Sequence, residues 1–240
     1  MQDAYIVAYG RAATGRGRAN GAYAHTRADD VAAQVLKGVI DRVDGDFDPA
    51  LIEDVSVGNA FPEGEQGMNF ARTIALRAGL PHTVPGQTVN RYCSSGLQTI
   101  AMAANSIMAG QADVVAAGGV EFMSAVPMGG NEPTNNPTLQ AEDVGASYPM
   151  GLTAENVAEK YNVSREDQDA FAVQSHQRAH SAQTEGRLKD EIIPVEINKV
   201  SYNENGPQVT KEMFDTDEGI RPNSTVETLR KLPTIFKANG

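Results

Sequence analysis

Cys93 is the single cysteine in 240 residues, and its surroundings, Gln87-Thr88-Val89-Asn90-Arg91-Tyr92-Cys93-Ser94-Ser95-Gly96-Leu97-Gln98, place it where a strand should run into a helix. Thr88 and Val89 favour a strand, whereas Leu97, Ile100, Ala101, Ala104, Ile107 and Met108 recur at helical spacing. A thiol at a helix N-terminus faces backbone N–H groups without intrahelical partners and the positive end of the helix dipole, both of which favour thiolate over thiol. The same N–H groups can hold the charge that develops on a thioester carbonyl under attack. Small residues at Ser94, Ser95 and Gly96 would let a substrate approach the backbone. On spacing alone two readings stand: a nucleophile, or a small hydrophobe buried in a core, the commoner fate of a lone cysteine.

Four histidines compete for a chemical role. His176 and His180 have the i,i+4 spacing of a metal pair, but Gln177-Arg178-Ala179 between them supplies no acid and adds a cation, so a solvated helix face is the favoured reading. His82 precedes the nucleophile strand and is a candidate base for Cys93, with a loop histidine of no catalytic role favoured. His25 has no partner in a recognisable pattern. Neither a local Ser/His/Asp signature nor a phosphate-binding glycine loop of the P-loop type is found, and nothing demands a metal.

The elements around Cys93 alternate. Ala4 to Ala8 reads as a short apolar strand of a parallel sheet, and Arg11 to Tyr23 as a loop or entry arm whose Arg11, Arg16 and Arg18 could contact phosphate, with solvated charges the favoured reading. Thr26 and Asp29 offer capping chemistry for a helix through Val31, Val35, Val39 and Ile40, stopping near Gly45. A helical turn at Pro49–Ile52 and a strand at Val55–Asn59 follow, then a helix from Asn69 to Ala78 with Gly79 as its stop. After the Cys93 helix ends near Gly110, Val114–Gly119 reads as a central strand leading into a functional edge. Alternating strands and helices predict an α/β layered core.

The texture changes after Glu121. Residues 122–149 are rich in Met, Gly, Asn and Pro and read as an extended loop; a helix opens at Met150, and a second runs from Ser164, paired with Asp167 in a capping box, to about Gly186. A strand at Ile192–Val200 and a short helix at Thr225–Lys231 complete an inserted α+β region expected to enclose a small core of its own. Leu232 to Gly240 ends without a final strand or capped helix, which reads as a chain cut short.

Composition bounds the partners. With 31 acidic against 20 basic residues the net charge is −11, which argues against a general nucleic-acid or anionic-membrane binder. A single cysteine excludes an internal disulfide framework and fits a reducing compartment. No apolar run reaches the length of a membrane span and the first residues lack a signal-peptide layout, so a cytoplasmic protein is expected.

Val89 to Gln98 closely resembles the active-site segment of the thiolases, in which the cysteine carries the acyl group. The likeness extends over Val7-Ala8, Gly67-Met68-Asn69 with Arg72, Gly118 to Ser124, Met150 to Asn156, and Asp167-Gln168-Asp169 with Phe171-Ala172, in order. The resemblance implies an αβα layered core, of which residues 1–120 would be an incomplete first half, with 121–240 as the loop domain that carries much of the coenzyme A site. It implies that Cys93 is the acylated nucleophile, that Arg221 lies against the nucleotide end of coenzyme A, that Thr228 falls near that nucleotide, and that Met150 lines the acyl pocket. A guanidinium can stack on adenine and pair with phosphate, and a flexible thioether suits variable acyl chains. A surface arginine, an exposed hydroxyl and a core methionine are the structural alternatives.

The segments that in this family carry the activating histidine, the second reactive cysteine and a water-positioning asparagine are not found, so the chain reads as the N-terminal portion of a thiolase, without turnover by itself. For the parent, the resemblance implies thiolysis of a 3-ketoacyl-CoA or the reverse condensation, coenzyme A as co-substrate with no permanently bound cofactor, and a homodimer or dimer of dimers. The rival readings are a condensing enzyme of related fold that takes acyl-carrier protein, a non-catalytic carrier of coenzyme A thioesters or lipid, and a stand-alone interaction module.

Overall fold

The computed structural model describes residues 2–240, which divide into two compact units: residues up to Glu132 together with Lys189–Gly219, and Pro133–Leu188 together with Ile220–Gly240. The line between them differs from the one expected near residue 120, because the segment 189–219 packs with the first unit.

In the first unit the chain runs α1 (Ala28–Ile40), β1 (Asp54–Gly58), α2 (Phe70–Arg77), β2 (Gly86–Val89), α3 (Ser95–Met108) and β3 (Val115–Gly119). The three strands form a parallel sheet in the order β2-β1-β3, with Val57 of β1 opposite Thr88 on one side and Gly118 on the other. A central parallel strand is covered on both faces, and accordingly Val55, Ser56, Val57 and Gly58 are all buried. Asn69 caps α2 by accepting from the Arg72 N–H, and Gly79 at φ +88° ends it. On α2, Phe70, Ala71, Ile74 and Ala75 fall on one helical face, against a core shared with Val55, Val57, Ala28 and Val31. Burial of Phe70 and Ile74 contributes about 2–3 kcal/mol each.

The segment 189–219 carries a hairpin, β4 (Val195–Asn203) and β5 (Gly206–Phe214), turning at Glu204-Asn205 and entering β5 at Gly206, φ +97°. Its base joins the core through Val195, Ile197 and Phe214, the last in edge contact with Tyr23, ring centres 5.2 Å apart. Only the first of its strands was expected. The Asn-Gly pair between two β-rich runs is the signal for the second.

Other expectations need correcting. Residues 4–8 form no strand: Tyr5, Ile6 and Val7 are more than 70 % exposed. Apolar, β-branched residues make a strand only where a ladder receives their N–H and C=O groups, and among the described residues no neighbouring strand does so. Thr26 does not cap α1; its hydroxyl accepts the Asn198 N–H at 2.8 Å, and the cap position is Arg27, whose side chain caps nothing. Residues 122–149 are not all loop, since α4 (Pro137–Glu142) starts with proline in its first turn behind Asn136, whose side chain accepts from the N–H groups of Thr138 and Leu139.

Arg11 is no solvated loop charge either. It makes a bidentate pair with Asp217 at 2.7 and 2.9 Å and donates through Nε to Glu191 at 2.8 Å. Hydrogen bonding from Arg11, against some burial, holds the Asp217 carboxyl below the usual range, helped by the Thr14 N–H. Burial alone would raise Glu218; the N–H groups of Arg16 and Ala22 outweigh it and hold this carboxyl low. A depressed folded value means stability that is present above the unfolded value of about 3.9 for Asp and lost as pH falls through the folded one. Asp217→Asn should therefore lower stability at neutral pH by about 1.5 kcal/mol, discounted because Arg11 is one-third exposed. Urea unfolding of the variant should also show a shallower loss of stability below about pH 4 than the parent.

The second unit holds α4, α5 (Met150–Tyr161), α6 (Arg165–Thr184) and α7 (Val226–Leu229). The capping box at the start of α6 is present in both directions between Ser164 and Asp167. The small core expected here is not formed: among its described residues no apolar side chain is fully buried, and Phe171 is 71 % exposed. Polar contacts hold it instead. Arg165 pairs with the buried Asp169 at 3.2 Å and donates to the carbonyls of Leu229 and Leu232, and Lys237 pairs with Glu159 at 2.6 Å. Among the described residues no helix is long and apolar enough to cross a membrane.

Candidate active site

Cys93 stands in the five-residue connection between β2 and α3, two positions before the helix begins, and is exposed. That placement follows from the local sequence. Asn90, the first residue after β2, accepts the Tyr92 N–H on its side-chain oxygen at 2.9 Å and donates to the Ala60 carbonyl at 2.9 Å, tying the turn to the end of β1. The turn is tight enough to put Tyr92 at φ +47°, a left-handed conformation that costs a non-glycine residue roughly 1 kcal/mol. Ser95 offsets that cost by accepting the Arg91 N–H at 2.8 Å and donating to the Tyr92 carbonyl at 2.5 Å.

The helix itself is placed by backbone contact. A Cβ on Gly58 would lie 2.3–2.6 Å from main-chain atoms of Ser95 and Gly96, and one on Gly119 would lie 2.9 Å from the Gly96 Cα. The first turn of α3 thus rests directly on the ends of β1 and β3. Among the described residues the N–H groups of Cys93, Gly96 and Leu97 have no acceptor, whereas the Ser95 N–H is taken by the Tyr92 carbonyl. Unpaired N–H groups at the start of a helix can hold the charge of an oxyanion formed at a carbonyl under attack.

The carboxyl edge of the sheet, where open α/β sheets bind ligands, carries a polar network around this turn. Glu121, just after β3, accepts the Ala60 N–H at 2.6 Å and a Gln66 amide hydrogen at 3.2 Å, while the buried Gln66 accepts the Phe122 N–H at 2.6 Å. Asn59 donates to the Val120 carbonyl at 2.9 Å. Sequence reasoning passed over Asn59, Gln66, Asn90 and Glu121 as individual residues. Their signal was positional, polar side chains at or soon after the last residue of an apolar strand.

No hydrogen bond joins His82 to Cys93 among the described residues; its carbonyl accepts from Arg72 at 2.9 Å. His176 and His180 belong to no group of three possible metal ligands among the described residues. His176 is not merely solvated, however, since its Nδ1 accepts the Arg221 N–H at 3.2 Å.

The other three candidates lie in the second unit. Met150 is the first residue of α5 and 66 % exposed. Arg221 is exposed, and its guanidinium makes no hydrogen bond or ion pair among the described residues. Thr228 closes a capping box with Thr225 at the start of α7, its hydroxyl donating to the Thr225 carbonyl at 2.8 Å. Thr228 therefore has a structural task, whereas Arg221 and Met150 present free side chains.

Comparison with known proteins gives one answer throughout. The family model for the thiolase N-terminal domain matches residues 4–240. A 3-ketoacyl-CoA thiolase of Bacillus subtilis is 47% identical over all of this chain and 61% of its own length, and one of Saccharophagus degradans is 42% identical over all of this chain and 59% of its own. The peroxisomal 3-ketoacyl-CoA thiolase 5 of Arabidopsis thaliana is 43% identical over 99% of this chain and 52% of its own length. The chain spans about six-tenths of the length of the first two of these curated relatives. With an exposed cysteine at the mouth of a helix seated on a parallel sheet, and a family match over nearly every residue, the chain belongs to the thiolase family, in its N-terminal domain.

Proposed function

We propose that the protein carrying this chain cleaves 3-ketoacyl-CoA by thiolysis, and runs the reverse condensation, through an acyl group held on Cys93. The observation that supports this most is the exposed Cys93 two residues before α3, a helix whose first N–H groups, at Gly96 and Leu97, have no acceptor among the described residues. The Cys93 sulfur attacks the 3-keto carbon, and the carbonyl oxygen takes up negative charge against those N–H groups. As the carbonyl re-forms, the bond between carbons 2 and 3 breaks, and the two-carbon enolate takes a proton and leaves as acetyl-CoA. The sulfur of coenzyme A then attacks the acyl-cysteine, regenerating Cys93 and releasing the shortened acyl-CoA. By family likeness the base that takes the Cys93 proton is a histidine of the whole protein.

Arg221 binds the nucleotide end of coenzyme A, with Thr228 close by, and Met150 lines the acyl pocket. Support for Arg221 is its free, exposed guanidinium in a chain whose arginines are mostly paired. The reading takes coenzyme A as co-substrate, with no resident cofactor or metal. A reducing compartment such as the cytoplasm suits a reaction that needs a free thiol. β2, an edge strand of the sheet, is available for a two-fold contact, and a homodimer or dimer of dimers is proposed.

Steady-state thiolysis in the whole protein tests the reading. Arg221→Ala should raise KM for coenzyme A about tenfold while changing kcat less than about twofold, the pattern of lost uniform binding. Equal turnover with an acyl-carrier-protein thioester and no response to Arg221→Ala would contradict it.

A further inference from the structure

The peptide beneath Arg221 is held although its side chain is free. We infer that His176 is a positioning residue for the coenzyme A site: it fixes the backbone from which Arg221 projects. The Arg221 N–H donates to His176 Nδ1 at 3.2 Å, 45 residues away in sequence, while the guanidinium has no partner among the described residues. His176 lies on α6, the 20-residue helix locked at its start by the Ser164–Asp167 capping box. One end of that helix also holds the far side of the same segment, because Arg165 donates to the carbonyls of Leu229 and Leu232 at 3.2 and 3.1 Å and is itself held by the buried Asp169. Between Arg165 and His176 the helix rises about 16 Å, so α6 grips the Arg221-to-Leu232 segment at two well-separated points. Between the grips, the Ser224 N–H returns to the Arg221 carbonyl at 3.1 Å and the Thr225–Thr228 box starts α7.

A long arginine that must meet a phosphate or a purine loses less entropy on binding when its backbone is already ordered. The acceptor must be Nδ1, which assigns the ring proton to Nε2. That makes the contact geometrically selective. Asparagine places a carbonyl oxygen about where Nδ1 stands, glutamine places it near Nε2, and alanine places nothing.

The test uses His176→Ala, His176→Asn and His176→Gln in the whole protein, with coenzyme A affinity by calorimetry and amide hydrogen exchange of Arg221 as readouts. His176→Ala and His176→Gln should weaken coenzyme A binding about fivefold, the effect of one hydrogen bond, and speed exchange at Arg221. His176→Asn should restore both to within about twofold. The affinity effect rests on the proposed role of Arg221, so Arg221→Ala is measured alongside: unchanged affinity there overturns that role, while the exchange rates still judge the His176 contact. Equal Arg221 exchange in His176→Ala and the parent, or His176→Asn behaving as His176→Ala, overturns the inference.

Discussion

Cys93→Ala is expected to reduce thiolysis by the whole protein by at least about 10⁴-fold while leaving its melting temperature within about 1 °C of the parent. The two halves of that expectation come from different observations. The side chain is exposed and fills no core, and the turn around it is held by Asn90 and Ser95, so removing one sulfur leaves no cavity and no unpaired buried group. Catalysis, by contrast, loses the atom proposed to carry the acyl group. Cys93→Ser should behave almost as poorly, because a hydroxyl lacks the acidity and the soft nucleophilicity of a thiol. Retention of more than about one-hundredth of the parent rate in Cys93→Ala would mean that another group takes the acyl chain or that no covalent step exists.

Gly58→Ala should be strongly damaging, lowering stability by about 3 kcal/mol and slowing acylation of Cys93 by roughly 10²-fold. The added methyl would sit 2.3 Å from the Ser95 carbonyl carbon and 2.5 Å from the Gly96 nitrogen. Both are backbone, so no flexible side-chain end can swing away. Relief requires α3 to lift off the sheet, and Cys93 and its neighbouring N–H groups move with it. Gly118→Ala is the matched control, because a Cβ there meets nothing within 4 Å. It should change stability by less than about 0.5 kcal/mol. Urea unfolding gives the stabilities, and the rate of Cys93 alkylation reports the displacement; equal behaviour of the two variants would show that α3 is not seated by glycine contact.

What the sequence made legible was whatever is encoded locally. The strand-to-helix change of period around Cys93, the helix after Asn69 with its Gly79 stop, and the Ser164–Asp167 box of α6 each lie within a few residues, and each is found where expected. Misreadings arose where a distant partner decides. Tyr5-Ile6-Val7 has strand composition, yet a ladder needs a neighbouring strand that local pattern cannot name. Arg11 looked like a loop charge because Glu191 and Asp217 lie about two hundred residues further on. His176 looked solvated because its donor is a backbone N–H, to which residue type gives no clue. For the candidate site, the placement of Cys93 between a strand and a helix was legible from local pattern, whereas Asn90, Gln66 and Glu121 act through carbonyls and N–H groups that only the folded sheet edge brings together.

The most direct measurement is mass spectrometry of the whole protein after brief exposure to acetyl-CoA or a 3-ketoacyl-CoA, followed by acid quench and peptide mapping. An acyl group on the peptide that carries Cys93, removed again when coenzyme A is added before the quench, is the predicted result. Turnover of the substrate with Cys93 recovered unmodified at every quench time, or with the acyl group on another residue, would contradict an acyl-cysteine at this turn.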